Sequence, residues 1–399
     1  MYYFDNAATT YPKPDAVYVA TDEFSRRWAA NPGRSSHKMA LAASAAVDAT
    51  REAIARLFNV ADPSRVVFAM NTTDAINIAL YGLLRPGDHV VTSMMEHNAV
   101  IRPLSALKEE GISVTRVAAG PDGRICADDV MAAVTPDTRL VVLTHASNVT
   151  GTIMPIEEVG ERLRGHGALF MVDAAQSAGV LPIDVRAMGI DLLAFPGHKC
   201  LLGPQGTGGL IVGERAALRP TRQGGTGTHS MMEEQPKELP EALESGTLNG
   251  VGIAGLGAGV RFVLDKGLDE VRAEESALLR RMLEGLSSID GVVLYGPCDP
   301  RKQVAVVSMN VRGWEPVDMG GALDVNFDIA VRTGLHCAPG AHRTIGTFPA
   351  GTVRVSPGPF TTSDDVDYLV GAVEQLASRG QRTPYRDAGL NRQTVAPTG

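Results

Sequence analysis

A chain of 399 residues is too long for one small hydrophobic core and suits two domains, or one large domain with a smaller satellite. Its net charge of −8 and its pI near 5.6 disfavour nucleic acid as the main partner, and no block of lysine or arginine opposes this. The first residues lack the basic and apolar regions of a secretion signal, and no apolar run is long enough to cross a bilayer. We therefore expect a cytoplasmic globular protein that binds neither nucleic acid nor a membrane.

The four cysteines, Cys126, Cys200, Cys298 and Cys337, are widely spaced and include no CxxC pair. This spacing argues against a metal site or a disulfide framework and favours a reducing compartment. A functional cysteine would then act as a single thiol. Because free cysteines are usually inert core residues, we expect that of Cys126 and Cys298, and we expect Cys200 to serve packing.

The chain begins with a polar, turn-rich lead-in over residues 1–14, and two helices are predicted after it, at Asp15–Trp28 and Lys38–Phe58. Short β-branched runs then alternate with helical segments. Apolar strands separated by helices predict a mostly parallel, seven-stranded sheet covered on both faces, the α/β fold class. The predicted strands are Arg65–Ala69, His89–Thr92, Val114–Ala118, Leu140–Thr144, Leu169–Val172, Leu192–Phe195 and Gly209–Val212, and the helices between them are Asp74–Leu84, Asn98–Glu110, Asp128–Val134 and Ile156–Arg164.

This large domain is predicted to span residues 15–265, with a long loop or hairpin at Gly224–Asn249 and a tightly packed helix of small residues at Gly250–Leu264. Residues 266–379 read as a smaller α+β domain, and residues 380–399 as a disordered tail. The elements predicted for the smaller domain are helices Leu268–Leu286 and Asp364–Ala377 and strands Val292–Tyr295, Val304–Val311, Ile329–Arg332 and Thr352–Ser356.

Polar residues follow the ends of several predicted strands, where ligands bind to parallel sheets. Thr72 and Thr73 open a helix and could bind phosphate, although plain N-capping is an equal alternative. His97 could stack on a planar ligand or carry protons. Asn148 could bond a carboxylate or a ring substituent, or could stabilise a turn.

Two charged residues also stand at strand ends. Asp173 closes an apolar run, so it needs a cationic partner, either a protonated pyridine nitrogen or an arginine. Lys199 lies between a buried strand and a glycine-rich turn, where desolvation makes an amine nucleophilic. Hydroxyls, an imidazole, an amide, a carboxylate and an amine at one edge predict a site for pyridoxal phosphate, with Lys199 as the Schiff-base lysine.

The glycine-rich turn Gly203–Gly209 could instead bind a nucleotide. It lacks the Gly-Lys-Ser/Thr order of a P-loop and the dinucleotide fingerprint, and a strand is predicted after it. We interpret the glycines that flank Lys199 as room for the cofactor.

Seven motifs follow one another along the chain: Asn71-Thr-Thr-Asp-Ala-Ile-Asn77, Met95-Glu-His97, Ser147-Asn-Val-Thr-Gly151, Val172-Asp-Ala-Ala-Gln176, Gly197-His-Lys199, Glu244-Ser-Gly-Thr-Leu-Asn249 and Arg332-Thr-Gly-Leu-His-Cys-Ala-Pro339. With these motifs, the chain from Phe4 to about Ala377 resembles the cysteine desulfurases, in the class V aminotransferase group of fold-type-I pyridoxal phosphate enzymes. The short span from Cys337 to Arg354 resembles the group II desulfurases.

The resemblance implies a role for each matching residue. For the cofactor ring, it implies a covalent link to Lys199, a pairing of Asp173 with the pyridinium nitrogen, a hydrogen bond from Gln176 to O3′, stacking by His97 and a contact from Asn148. For the phosphate, it implies binding by Thr72, Thr73 and His198. Thr247 from the second subunit of a homodimer would complete the phosphate site. Lys199 would later move the substrate Cα proton. The implied substrate contacts are a carboxylate clamp by Asn148 and Arg354, with His37 and Arg332 nearby.

Cys337 distinguishes a desulfurase from its relatives. The resemblance implies that its thiolate attacks the sulfur of the bound cysteine, leaving a persulfide and releasing alanine. His336 and Arg332 are the expected causes of a lowered thiol pKa. A protein sulfur acceptor and a place in iron–sulfur cluster assembly are implied as well.

Other reactions stay open at this point, namely selenocysteine lyase, another C–S lyase, a racemase or an aminotransferase, and so does a non-catalytic or nucleotide-binding protein. Three residues depart from the family pattern. Pro196 stands where many relatives have a phosphate-binding serine, Leu335 replaces a common histidine, and Gly340 replaces a larger residue. These departures bear on rate and substrate range.

Overall fold

The computed structural model describes residues 1–33, 36–228 and 231–379. After a two-residue strand, β1 (Tyr2–Tyr3), seven strands form the central sheet. They are β2 (Val66–Ala69), β3 (His89–Ser93), β4 (Ser113–Val117), β5 (Thr138–Thr144), β6 (Leu169–Asp173), β7 (Leu192–Pro196) and β8 (Gly208–Val212), in the order β2-β8-β7-β6-β5-β3-β4. Only β8 runs against its neighbours, so the predicted mostly parallel sheet is confirmed.

Both faces of this sheet are buried, because its strands are apolar at successive positions. Leu140 and Val142 of β5 point into one core, and Val141 and Leu143 point into the other. The first core is covered by α3 (Thr72–Leu83) and α4 (Asn98–Glu109). The second is covered by α2 (Lys38–Leu57), α5 (Ala127–Ala133), α6 (Ile156–Arg162) and α7 (Gly250–Lys266), with α1 (Asp15–Arg27) packed on α7.

The rest of the chain forms a second sheet with its own core. Its strands β9 (Val292–Tyr295), β10 (Val307–Val311), β12 (Arg332–Gly334) and β13 (Thr352–Val355) are antiparallel in the order β12-β13-β10-β9, and the short β11 (Ile329–Ala330) pairs in parallel with β1. The helices are α8 (Leu268–Ser287), α9 (Pro316–Phe327), α10 (Pro339–Thr344) and α11 (Ser363–Arg379). The domain boundaries stay predictions, and the predicted tail 380–399 lies outside the described residues.

One strand and two α-helices of the structure are not among the predicted elements. The start of the chain is not irregular throughout, since Tyr2 and Tyr3 pair with Ile329 and Ala330. Helices α9 and α10 were also not predicted, because α9 contains a glycine pair and α10 has only six residues. Packing on the second sheet stabilises α9 in spite of its weak intrinsic helix propensity.

The glycines around Lys199 serve protein packing, so their interpretation as room for a cofactor is wrong. A Cβ on Gly208 would lie 2.8 Å from the Phe195 carbonyl oxygen and 2.9 Å from Asn71 Cα. A Cβ on Gly197 would overlap the Thr207 side chain. The strand predicted after the turn is present as β8.

The positions of Cys126 and Cys298 differ from the predicted positions in the core. Cys126 and Cys298 are both exposed, so their prediction as core residues is wrong. Cys126 stands immediately before α5, and Cys298 lies in the loop after β9 with a φ of 53°. The general tendency of free cysteines to be buried does not hold at these two positions, which lie outside the strands and helices of the core.

One buried ion pair connects α2 to β2 and to the loop before α7. Arg51 and Glu244 form two hydrogen bonds of 2.9 and 3.0 Å, with side chains only 8% and 6% exposed. Glu244 also accepts a 2.6 Å hydrogen bond from the Phe68 backbone N–H, and Arg51 donates to the Val66 carbonyl. The pair therefore fixes β2 and the motif that contains Thr247.

Replacing Glu244 by alanine should lower the free energy of unfolding by about 3–5 kcal/mol, because Arg51 stays buried without a counter-charge. Urea denaturation followed by circular dichroism measures this. The matched control is the double variant Arg51→Met/Glu244→Leu, which removes both charges and should cost less. A Glu244→Ala protein as stable as the parent would contradict the assignment.

Candidate active site

The carboxyl ends of six strands lie at one edge of the central sheet. Because β2 and β7 are each antiparallel to β8, they point the same way as β3, β4, β5 and β6. The structure thus brings five of the predicted positions to this edge, as the sequence predicts. They are Thr72 after β2, His97 after β3, Asn148 after β5, Asp173 at the end of β6 and Lys199 after β7.

The phosphate-binding candidates lie beside each other across β8. Pro196 and Ala69 are both registered with Gly208, so His198 and the start of α3 are close. Asn71 is the N-cap, since its side chain accepts a 2.9 Å hydrogen bond from the Asp74 backbone N–H. The capping alternative therefore does not explain Thr72 and Thr73, which occupy the first helical positions.

His198 and the helix start together form an anion-binding arrangement. The Nδ1 atom of His198 is buried and has no hydrogen-bond partner among the described residues. Burial, together with the Lys199 charge, lowers the His198 pKa to about 4, so the ring is neutral. A neutral ring with one protonated nitrogen, two hydroxyls and free N–H groups at a helix start suit a phosphate.

Asp173 and Lys199 form the charged centre of the site. Asp173 is 1% exposed and accepts a 2.9 Å hydrogen bond from the Ala175 backbone N–H. Burial raises its pKa to about 6, although the nearby Lys199 charge opposes this. Within the part of the chain that the structure describes, no arginine forms a salt bridge with Asp173, so the arginine alternative has no support there.

The pKa of the Lys199 amine is shifted in the opposite direction, downwards. Desolvation and then the Arg354 charge lower its pKa to about 8, while Asp173 partly offsets them. A lysine with this pKa carries a substantial neutral fraction at slightly alkaline pH. It is therefore suited to attack an aldehyde and to exchange protons with a neighbouring carbon.

His97 begins α4 and is held in one tautomer. Its Nδ1 accepts a 3.0 Å hydrogen bond from the Ala99 backbone N–H, which leaves the ring hydrogen on Nε2. Burial and the charges of Lys199 and Arg332 lower its pKa to about 4. The ring is neutral and fixed, as a stacking residue requires.

Arg354 is the largest fully buried side chain. One terminal nitrogen donates to Asp5 Oδ1 at 2.8 Å, and the other donates to the Asn148 carbonyl at 3.1 Å. Its Nε is buried and has no partner among the described residues. The Asn148 side chain donates to the His336 carbonyl at 2.7 Å, so Asn148 ties the arginine to the Cys337 loop.

Cys337 is exposed at the tip of this loop. His336 and Cys337 have φ values of 48° and 60°, a left-handed conformation that non-glycine residues rarely adopt. The loop is fixed on α4, because the Asn98 backbone N–H donates to the Cys337 carbonyl at 2.8 Å. A terminal nitrogen of Arg332 lies 3.7 Å from Cys337 Sγ.

His336 does not contribute in the way that the sequence suggested. It is buried and its Nε2 is 3.0 Å from the Thr352 hydroxyl. Burial and the Arg354 charge lower its pKa to about 2, so the ring is neutral and supplies no positive charge to the thiol. The expectation that His336 helps to ionise Cys337 is wrong, and the cations near Cys337 are Arg332 and Arg354.

Three predicted residues have other contacts. Gln176 donates to the Ala7 carbonyl at 3.0 Å, and the exposed His37 caps α2 by accepting from the Ala40 N–H at 3.3 Å. Thr247 is exposed and accepts from Asn31 at 3.3 Å. Across the described ranges, no hydrogen bond or ion pair joins His37 or Thr247 to the edge that carries Lys199, and their roles stay predictions.

Known proteins are similar to this chain over almost its whole length. The family aminotransferase class-V matches residues 2–369. A probable cysteine desulfurase of Methanothermobacter thermautotrophicus is 36% identical over 384 residues, 95% of each chain, and the cysteine desulfurase of Klebsiella pneumoniae is 35% identical over 94% of this chain and 93% of its own. The apo cysteine desulfurase of Thermococcus onnurineus has a TM-score of 0.87 at 33% identity over 94% of each chain.

This chain belongs to the cysteine desulfurase family. The resemblance read from the seven motifs is confirmed, and so is the predicted fold class. Among the described helices, none is both long enough and apolar enough to cross a membrane.

Glu96 lies at the same edge of the sheet but is not among the predicted site residues. It is 1% exposed, with Oε1 2.6 Å from the Ser93 hydroxyl and Oε2 2.9 Å from the Thr144 backbone nitrogen. Burial raises its pKa to about 8. Its position after an apolar strand is the same signal that singled out Asp173.

Glu96→Gln should become more stable than the parent as the pH rises. The Glu96 pKa is raised from 4.5 to about 8, so the folded state holds an extra proton between these values, and parental stability falls through that window. The difference in free energy of unfolding should grow by up to about 3 kcal/mol from pH 5 to pH 8.

Urea denaturation of the cofactor-free proteins at several pH values measures this difference. The exposed Glu270→Gln on α8 controls for the loss of a carboxylate. A constant difference between parent and Glu96→Gln across the pH range would show that Glu96 is not held neutral.

Proposed function

We propose that this chain is a pyridoxal phosphate-dependent cysteine desulfurase that converts L-cysteine to L-alanine and retains the sulfur as a persulfide on Cys337. The observation that carries this proposal is the position of one exposed thiol, 3.7 Å from the Arg332 guanidinium, on a loop fixed to the edge that also bears Lys199. The names of the relatives support the same activity.

The residues at this edge fit the cofactor. Lys199 would bind the aldehyde of the cofactor. Asp173 would pair with the protonated ring nitrogen, because a buried carboxylate needs a cationic partner. Thr72, Thr73 and the unpartnered Nδ1 of His198 would hold the phosphate. When bound, the cofactor would supply an electron sink for negative charge on the carbon atoms of the amino acid.

Arg354 would bind the substrate carboxylate. Its buried Nε has no partner among the described residues, and the nitrogen that now contacts Asp5 could turn to the substrate. Guanidinium and carboxylate form paired hydrogen bonds that fix the orientation of a planar anion. The amino acid would then lie between Lys199 and the Cys337 loop.

The protein residues then divide the chemistry of sulfur transfer. Lys199 would take the Cα proton and return a proton to carbon, which its pKa of about 8 permits. The Cys337 thiolate would attack the substrate sulfur, so that an S–S bond forms as the Cβ–S bond breaks and its electron pair stays with the carbon fragment. Cysteine and the protein thiol thus yield alanine and a protein persulfide, with no external oxidant.

The proposal includes a homodimer and an acceptor. Thr247 is exposed and accepts a hydrogen bond from Asn31, and its exposure suits a role at the partner's phosphate site. The exposure of Cys337 suits release of sulfur to a protein thiol. We place this activity in the cytoplasm, in the supply of sulfur for iron–sulfur clusters.

The cofactor is tested with Lys199→Ala. The parent protein should turn yellow with pyridoxal phosphate and, after borohydride reduction, should carry the label on the Lys199 peptide in mass spectrometry. Lys199→Ala should carry no label there, while the exposed Lys237→Ala should match the parent. A parent protein that takes up no cofactor would refute the proposal.

The reaction is tested with Cys337→Ala. This variant should bind cofactor normally but release alanine from cysteine at least about 10²-fold more slowly, since the nucleophile is gone. Cys298→Ala, which removes another exposed thiol, should retain activity. Undiminished alanine release by Cys337→Ala would contradict the mechanism.

The same assay separates the related reactions. Selenocysteine and cystine should be supplied in parallel with cysteine, and alanine and persulfide should be measured for each. A lyase for selenocysteine would release alanine from that substrate without needing Cys337, whereas a desulfurase acts on cysteine only when Cys337 is present.

A further inference from the structure

The segment Asp5–Lys13 connects the two halves of the site. Asp5 pairs with Arg354 at 2.8 Å, and the Ala7 backbone N–H donates to the Ser356 hydroxyl at 2.9 Å, beside β13. Ala7 also receives the Gln176 side chain, which follows β6. The segment then continues to the backbone of His198 and Lys199.

The carbonyl of His198 is the end point of this segment. It lies within hydrogen-bond reach of four donors, namely Lys13 Nζ at 2.7 Å and the Thr9 hydroxyl, the Thr10 N–H and the Thr10 hydroxyl, each at 3.2 Å. A carbonyl oxygen has two lone pairs, so the four nearby donors outnumber the lone pairs that can accept from them. It belongs to the peptide that joins His198 to Lys199.

Lys13 and Thr10 act on this peptide together. The Lys13 ammonium also donates to the Thr10 hydroxyl at 2.5 Å, and that hydroxyl is 3.1 Å from the Lys199 carbonyl. Both backbone carbonyls that flank the Lys199 Cα are therefore held by one small network. Because it fixes the Cα of Lys199, the network sets the point from which the reactive side chain extends.

Lys13 itself is unusual among partly buried lysines. Its ammonium donates to a carbonyl and to a hydroxyl, and it forms no salt bridge with a carboxylate within the described ranges. Desolvation lowers its pKa to about 8. A lysine placed for stability alone would be expected to keep its ammonium in water or beside a carboxylate.

We propose that Lys13 is a positioning residue of the active site, which holds the His198–Lys199 peptide so that the Lys199 amine and the His198 ring meet the cofactor. This rests on the proposed function, because Lys199 is the residue being positioned. Loss of Lys13 would leave the amine and the imidazole intact but less well placed. A misplacement of about 1 Å at a reacting group can lower a rate about 10²-fold.

The test compares Lys13→Met, Lys13→Arg and the control Lys108→Met, an exposed lysine on α4. The main readout is the rate at which the cofactor-free protein forms its borohydride-trappable link to pyridoxal phosphate on Lys199. Lys13→Met should slow this rate about tenfold and lower kcat for cysteine about 10–10²-fold, with KM changed less than about threefold. Lys13→Arg should restore most of both rates, and Lys108→Met should match the parent.

The outcomes separate the two proposals. If Lys13→Met forms the link at the parental rate, Lys13 is not a positioning residue. This conclusion holds whatever the melting temperature of the variant protein. If the parent forms the link but releases no alanine, the proposed reaction fails while the linkage rates still decide the role of Lys13. A parent that forms no link at all refutes the cofactor proposal.

A second variant guards against loss of folding in Lys13→Met. Thr10→Val keeps the size and β-branching of threonine but removes the hydroxyl that joins Lys13 to the Lys199 carbonyl. It should slow linkage severalfold at an unchanged melting temperature. A parental linkage rate in folded Thr10→Val would also overturn the proposal.

Discussion

The site depends on the desolvation of two opposite charges at the edge of a parallel sheet. Burial raises the pKa of Asp173 to about 6 and lowers that of Lys199 to about 8. Each pKa is thus shifted towards neutral pH, where the group can gain or lose a proton. The parallel strand order makes this possible, because it places the ends of β6 and β7 side by side.

The surrounding charge is mainly positive, although the chain carries −8 overall. Arg354 and Arg332 both face this region, and burial lowers the pKa values of the partly buried His97 and His198 and of the buried His336. The arginines' part of this field is constant near neutral pH, because guanidinium groups stay protonated and the three imidazoles are neutral there. Such a field favours the anions that the proposed reaction needs: a phosphate, a carboxylate and a thiolate.

Segments far apart in sequence hold these groups in place. The strained turn at Cys337 is fixed by Asn148 and by the start of α4, and residues near the start of the chain bind Arg354 and the backbone carbonyls of His198 and Lys199. The Cys337 thiol and the Lys199 amine are thereby oriented by residues that are distant from them in the sequence. Strain of this kind persists only where the surrounding structure determines it.

Sequence alone determined the sheet, because apolar strands and intervening helices have local periodicities, and it determined the catalytic candidates, because polar residues at strand ends stand out against apolar runs. It could not show that the glycines near Lys199 pack against protein, that Cys126 and Cys298 are exposed, or that His336 is neutral. Nor could it single out Lys13, and it could not show how completely Glu96 is buried. Burial, charge and packing at these positions arise from residues distant in the chain, so only the tertiary structure decided them.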